Sequence, residues 1–288
     1  MIDFSNYEKT QTYYGGSERK IGIMIGDSEY MIKFQKYTNF GSKVFNHISE
    51  YLGSHIFELL GFKVQETYLG IYNGEEVVAC KNFNVDNFQF VPFNAVGESS
   101  LDNDKEKYQY TYEDIMKMLS DNSKLTNVNE TIKTFWEMFV VDALIGNFDR
   151  HGSNWGFLKK NNKYTIAPIF DNGSCLFPQM IDETIMEEIM KSDEETNKRI
   201  YEFPTSQIKL KGKKSSYYDV INSLSFKECN DAVVKICSLY TQDKIDELIE
   251  STDFITEKHK EFYKYMIKKR YDKILKQAYL SLMEKKYE

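Results

Sequence analysis

Two carboxylates and one amide near the middle of the chain have the types and the spacing that phosphoryl transfer needs. Asp149 and Asn154 lie five positions apart in Gly146–Phe157, GNFDRHGSNWGF, and Asp171 follows 17 residues after Asn154 in IAPIFDNGS. The first carboxylate can orient and deprotonate an attacking hydroxyl. The amide oxygen and the second carboxylate can hold Mg2+, a hard ion that takes oxygen ligands, against the phosphates of ATP. Upstream, Gly15, Gly16 and Ser17 in YYGGSERKIGI let backbone N–H groups approach phosphates closely. Lys33 in YMIKF can reach the α- and β-phosphates, and strand alternation turns it away from the face that carries Ile32 and Phe34. His151, between Asp149 and Asn154, reads either as a hydrogen-bonding brace of the loop or as a base. Each signal is weak alone. Their order along the chain carries the inference.

That order requires particular elements. Lys20–Ile25 and Tyr30–Phe34 are rich in β-formers and flank the turn Gly26-Asp27-Ser28-Glu29. Val64–Tyr72 and Glu75–Phe83 flank Asn73-Gly74, a strong hairpin signal. Between the hairpins, Val44, Ile48, Tyr51, Leu52, Ile56, Leu59 and Leu60 recur at helical spacing, and Gly61 is a plausible helix stop. The remainder reads as mostly helical: Thr111–Leu119, a buried helix over Thr131–Ile145 ended by Gly146, then Ile181–Ser192, Ser225–Leu239, Asp243–Glu250 and Glu257–Glu288. A short hairpin, Trp155–Leu158 and Tyr164–Ala167, separates Asn154 from Asp171. The fold class expected is α+β. It has two lobes: residues 1–84 form a small antiparallel β-rich lobe with one helix, and residues 85–288 form a larger helical lobe.

Composition narrows the function classes. The 288 residues are 41% hydrophobic and 28% charged, which is globular composition. The net charge of −7 argues against direct nucleic-acid binding, which favours a basic surface. The Lys-rich stretch Lys258–Lys286 reads as a packed helix with a solvated face. Cys80, Cys175, Cys229 and Cys237 have no metal-ligand spacing and read as buried thiols of a reducing compartment. No apolar run approaches the ~18 residues of a membrane span, and the N-terminus has no Sec-type pattern. A cytoplasmic protein is expected, with secretion lacking a cleaved signal left open.

GNFDRHGSNWGF resembles the GNxDxHxxN motif of HipA-like kinases, and IAPIFDNGS resembles their xxPxYDxxS motif. YMIKF is similar to their strand lysine segment, SEYLGSHIFELLG to their first-lobe helix, and EEVVACKNFN to the strand that enters the hinge. The likeness spans roughly Tyr14 to Pro178 and looks like the short form of the family, without its N-terminal subdomain. It implies a protein-kinase-like fold and a Ser/Thr kinase that uses ATP and Mg2+, with Asp149 as catalytic base, Asn154 and Asp171 on the metal and Lys33 on phosphate. It places Lys81, Asn82 and Phe83 beside the nucleotide. It also implies a Ser/Thr-bearing protein substrate, a toxin role with an antitoxin or split-subunit partner, and autophosphorylation near the Gly loop, for which Ser17 is the candidate. Glu50 matches the helix Glu that pairs with the strand lysine, although it lies opposite the apolar stripe counted above. Glu58 is the rival. Two other readings stay open: a small-molecule or phosphoinositide-type kinase, and a non-catalytic nucleotide-binding module.

Overall fold

The computed structural model describes residues 1–15, 19–83, 88–97, 111–120, 125 and 127–285. Gly16, Ser17 and the expected lobe boundary at 84/85 lie outside the described residues.

The chain begins with β1 (Ile2–Asp3), β2 (Lys20–Ile25) and β3 (Ser28–Phe34), then a small hairpin, β4 (Lys36–Tyr37) and β5 (Lys43–Val44). Helix α1 (Asn46–Leu59) precedes β6 (Thr67–Tyr72) and β7 (Glu75–Lys81). The main sheet runs β1-β6-β7-β3-β2, antiparallel except where β1 joins β6 in parallel. The Asn73-Gly74 turn has positive φ at both residues, which an Asn-Gly pair adopts cheaply. One face of the sheet buries Phe4, Ile23, Ile32, Phe34, Tyr72, Val77 and Ala79 in a small separate core. The β-pleat puts Lys33 on the other face, in register with Lys20 on one side and Val78 on the other.

Helix α1 is covered on nearly all sides. Its apolar stripe, with Ile48, Leu52 and Ile56, belongs to the large core that continues into the helical lobe. Its opposite side is buried as well: Asn46, Ser49, Glu50 and Ser54 are all enclosed. That double coverage explains why a buried Glu50 stands opposite the apolar stripe.

The helical lobe opens with β8 (Gln89–Pro92), α2 (Phe93–Gly97) and α3 (Tyr112–Ser120), followed by α4 (Val128–Ile145). The Asn127 side chain accepts from Glu130 N and caps α4, while Trp136, Val140, Val141, Leu144 and Ile145 are fully buried along it. Gly146 closes α4 at φ 66°, a left-handed turn that glycine takes without strain. Strands β9 (Gly156–Lys160) and β10 (Lys163–Ile166) form the expected hairpin, and β8 adds to it as a third strand that sequence reading misses. Then come α5 (Glu183–Lys191), α6 (Asp193–Asn197), a π-helical turn (Lys198–Glu202), β11 (Thr205–Leu210) and β12 (Lys213–Ser216). The β11–β12 hairpin corrects the expectation of helices alone. It turns at Lys211-Gly212, both at positive φ. Helices α7 (Tyr217–Asn222), α8 (Lys227–Leu239) and α9 (Gln242–Glu250) follow. The single helix expected over Glu257–Glu288 is α10 (Glu257–Arg270), a π-turn (Tyr271–Leu275) and α11 (Lys276–Glu284). Tyr271 stacks on Tyr240 at 3.7 Å, and the wider turn keeps Ile274 and Leu275 in the core. Among the described residues no helix is long and apolar enough to cross a membrane. Cys80, Cys175 and Cys229 are buried, reduced cysteines, whereas Cys237 is only partly buried.

Candidate active site

Lys33 is the hinge of the site's electrostatics. Its Nζ donates to Glu50 Oε2 at 2.8 Å and to Asp171 Oδ1 at 3.0 Å, with the lysine side chain 6% exposed. An ammonium this deeply enclosed must be paired, because desolvation of an isolated charge is prohibitive. Burial opposes its charge, but Asp171 and Glu50 outweigh burial and raise the lysine well above its ordinary value. Burial likewise opposes ionisation of Asp171. Lys33, with Arg150 and Lys20 behind it, more than offsets that and holds the carboxyl below the usual range. Of the two candidate helix glutamates, Glu50 takes the lysine; Glu58 is exposed. Glu50 also accepts from Asn172 N at 2.9 Å, so one carboxylate ties the strand lysine to the segment that carries Asp171.

The loop after α4 is built on a buried polar network. Arg150 donates to both oxygens of Asp142, at 2.9 and 3.0 Å, and to Asn154 O, Phe170 O and Asn172 Oδ1, at 2.9, 2.5 and 2.5 Å. Asp142 also accepts from Asn147 Nδ2 at 3.0 Å. Tyr217 OH donates to Asn147 O at 2.6 Å, and Asn147 Oδ1 accepts from Asp149 N at 3.1 Å. Thus one guanidinium fixes the Asn154 segment and both flanks of Asp171, while α4 supplies its counter-charge. Burial pushes Asp142 up, and Arg150 opposes that rise. Gly53 on α1 gives Asn172 room: a Cβ there would sit 2.6 Å from the Asn172 Cβ. Asp171 itself has φ 57°, outside the comfortable range for a side-chain-bearing residue.

These elements open on a polar cavity of about 300 Å3 lined by Lys20, Lys33, Lys36, Asn46, Glu50, Asp149, His151, Asn154, Asp171, Gly173 and Ser174. Asp149 is 45% exposed at its mouth, with His151 Nε2 3.8 Å from Asp149 Oδ1. His151 Nδ1 accepts from Ser153 N at 3.2 Å, which suits the bracing role. Asn154 Nδ2 donates to Asp149 O at 2.8 Å, which leaves its Oδ1 as the amide atom free to ligate. The donor set of one carboxylate and one amide oxygen is what a hard divalent ion and polyphosphate oxygens complete.

The sequence-predicted residues fall into three groups. Lys33, Glu50, Asp149, His151, Asn154 and Asp171 meet at this cavity. Lys81, Asn82 and Phe83 lie at the end of β7, away from its lining: Lys81 pairs with Glu66, Asn82 Nδ2 donates to Glu29 Oε2, and the Phe83 ring meets Phe170 and Phe90 at 5.3 and 5.7 Å. Gly15 is exposed, and its carbonyl accepts from Lys20 Nζ at 3.0 Å. Sequence reasoning missed Lys20, Asp142, Asn147, Arg150 and Asn172. Lys20 had a usable signal, because the β2–β3 turn fixes the register that sets it opposite Lys33.

The family model described as the HipA-like C-terminal domain matches residues 12–254. The serine/threonine-protein kinase CtkA of Helicobacter pylori strain J99 is 37% identical over 297 residues, 98% of this chain and 89% of that protein. The crystal structure of the H. pylori proinflammatory kinase CtkA superposes with a TM-score of 0.91 at 37% identity, covering 100% of this chain and 99% of that one. Shewanella oneidensis HipA, solved as a toxin–antitoxin complex with HipB and operator DNA, matches with a TM-score of 0.57 at 14% identity, over 94% of this chain and 65% of that one. That last likeness speaks to the fold alone.

Proposed function

The chain belongs to the HipA-like C-terminal domain family and is a serine/threonine protein kinase, and on that footing we propose that it uses Mg2+ to transfer the γ-phosphate of ATP to a serine or threonine hydroxyl of a protein. The observation that carries the proposal is the convergence of Lys33, Glu50, Asp149, Asn154 and Asp171 on one cavity from four separate stretches of chain.

Residues 1–84 act as the lobe that holds the nucleotide, and residues 85–288 as the lobe that brings the acceptor and the metal ligands. Lys33, prepositioned by Glu50, contacts the phosphates, and Lys20 adds a second positive charge on the same face of the sheet. The rings of Phe83, Phe90 and Phe170, 5.1 to 5.7 Å apart, offer apolar faces for a purine base. Asn154 Oδ1 and Asp171 would hold Mg2+, which when bound neutralises charge on the phosphate oxygens. Asp149, open to solvent on one side, is reachable by the hydroxyl of a folded protein or peptide. It orients that hydroxyl and accepts its proton as the oxygen bonds to the γ-phosphorus and the bond to the ADP oxygen breaks. Positioning is most of the catalysis in such a transfer, and the Arg150 network supplies it.

The test is to incubate the purified chain with labelled ATP and a protein mixture, with and without Mg2+, and to map phosphate by mass spectrometry. Mg2+-dependent phosphoserine or phosphothreonine is expected. Label on lipid or small-molecule hydroxyls alone, or ATP affinity indifferent to Mg2+ and to Asp171→Ala in titration calorimetry, overturns the proposal.

A further inference from the structure

A second depression lies on the helical lobe, and Phe148 in its lining is the chain neighbour of Asp149 in the transfer cavity. It encloses about 530 Å3 and is lined by Phe148, Phe177, Pro178, Met180 and Phe203 among others. Phe203 is 50% exposed, and its ring stands 5.4 Å from that of Phe148. A concave surface that is mainly apolar and left open to water is costly and marks a binding site more often than a structural accident.

Three observations say what occupies it. First, Phe148 directly precedes Asp149, so one wall of the groove is the chain neighbour of the residue assigned to the acceptor hydroxyl. Neighbouring Cα atoms are about 3.8 Å apart, and an extended substrate segment advances by about the same distance per residue. A hydroxyl at Asp149 therefore brings the side chain of a flanking residue to the Phe148 wall. Second, the backbone of the wall is anchored: Gln207 Nε2 donates to Phe148 O at 3.0 Å, and Tyr217 OH donates to the carbonyl of Asn147. Third, the ion pairs of the rim leave one of its carboxylates, Glu202, over. Lys198 pairs with Glu194 and Glu195, and Arg199 with Glu195. Glu202, also on the lining, is exposed and has no ion-pair partner among the described residues.

We propose that this groove receives a large apolar side chain flanking the phosphoacceptor serine or threonine, with a basic substrate residue beside Glu202. The proposal rests on the kinase function proposed above and names what that site selects. Small apolar pockets discriminate by roughly tenfold or more per missing group.

The experiment is a positional-scanning library of serine peptides, phosphorylated by the full chain with ATP and Mg2+. Leu, Ile, Met or Phe should be selected at one position beside the serine, and Lys or Arg nearby. Phe203→Ala should raise the KM for an apolar-flanked peptide about tenfold, while leaving kcat and peptide-free ATP hydrolysis unchanged. Glu202→Lys should move the charge preference from basic to acidic residues. If Phe203→Ala melts early, Met180→Ser tests the same lining. Phosphorylation with no preference beside the serine, or KM untouched by these variants, overturns the groove assignment and leaves the kinase intact. Transfer to no peptide and no protein overturns both.

Discussion

Replacing Arg150 with Met tests whether one guanidinium holds the catalytic segments in place. Arg150 makes five hydrogen bonds, two to Asp142 and three to Asn154 O, Phe170 O and Asn172 Oδ1. Arg150 and Asp142 are 7% and 1% exposed. Removing one member of a buried ion pair strands the other and costs about 3–5 kcal/mol. The three lost backbone and amide contacts belong to the same network, so they are not additive with that figure. At about 2–3 °C per kcal/mol for a chain of this size, the melting temperature should fall by roughly 6–15 °C. Transfer should fall by about a hundredfold, because a misplacement of about 1 Å at the reacting groups costs that much. The double variant Asp142→Leu/Arg150→Met separates the two effects. With neither member of that ion pair left stranded it should recover at least half of the lost stability, yet transfer should stay low, since Asn154 and Asp171 still lack their anchor. Thermal melting and initial rates of phosphate incorporation on both variants decide it. An Arg150→Met protein that melts within about 2 °C of wild type, or a double variant that regains transfer, refutes the positioning role.

Three shorter predictions accompany it. Glu50→Gln should weaken the hold on Lys33 and cut kcat/KM by about tenfold or more, whereas exposed Glu58→Gln should leave rate and melting unchanged; equal effects in a side-by-side kinetic comparison contradict the Glu50 pairing. His151→Gln should alter melting by under about 2 °C, because the ring is 41% exposed, and should cost less than about tenfold in rate; a loss as large as that of an Asp149 variant makes His151 the base. Asp171 is held below its ordinary pKa of 3.8, so its contribution to stability is complete above pH ~4 and is lost as pH falls through the lowered value. Denaturation curves from pH 6 to pH 2 should therefore be steeper for wild type than for Asp171→Asn, and parallel curves count against the Lys33–Asp171 pair.

What could be read from sequence follows what is local. The two hairpins of the main sheet, the helix between them and the buried helix before Gly146 all carry their own period or turn chemistry. Asp149, Asn154 and Asp171, which line one cavity, could be singled out because their spacing matches what phosphoryl transfer needs. Asp142 and Arg150 were not, since nothing in a helix rich in apolar residues says that its one aspartate will meet a guanidinium eight residues on. Strand β8 escaped because its partner, β9, lies more than sixty residues away. Strands β11 and β12 are dense in lysine and serine, and their Lys211-Gly212 turn was the only cue. The groove beside Phe148 joins segments near 148, 178 and 200, and only tertiary packing brings them together.

Asp149→Asn tests the central claim most directly. The two side chains are nearly isosteric, and Asp149 is 45% exposed, so packing and the nearby amide contacts should survive. What disappears is the carboxylate that orients the acceptor hydroxyl and takes its proton. Initial rates of phosphate incorporation, measured beside thermal melting and Mg2+-ATP binding, should show unchanged melting, near-unchanged binding and a rate lower by about 10² to 10⁴. A variant that melts and binds like wild type and still transfers phosphate at the wild-type rate removes Asp149 from the mechanism.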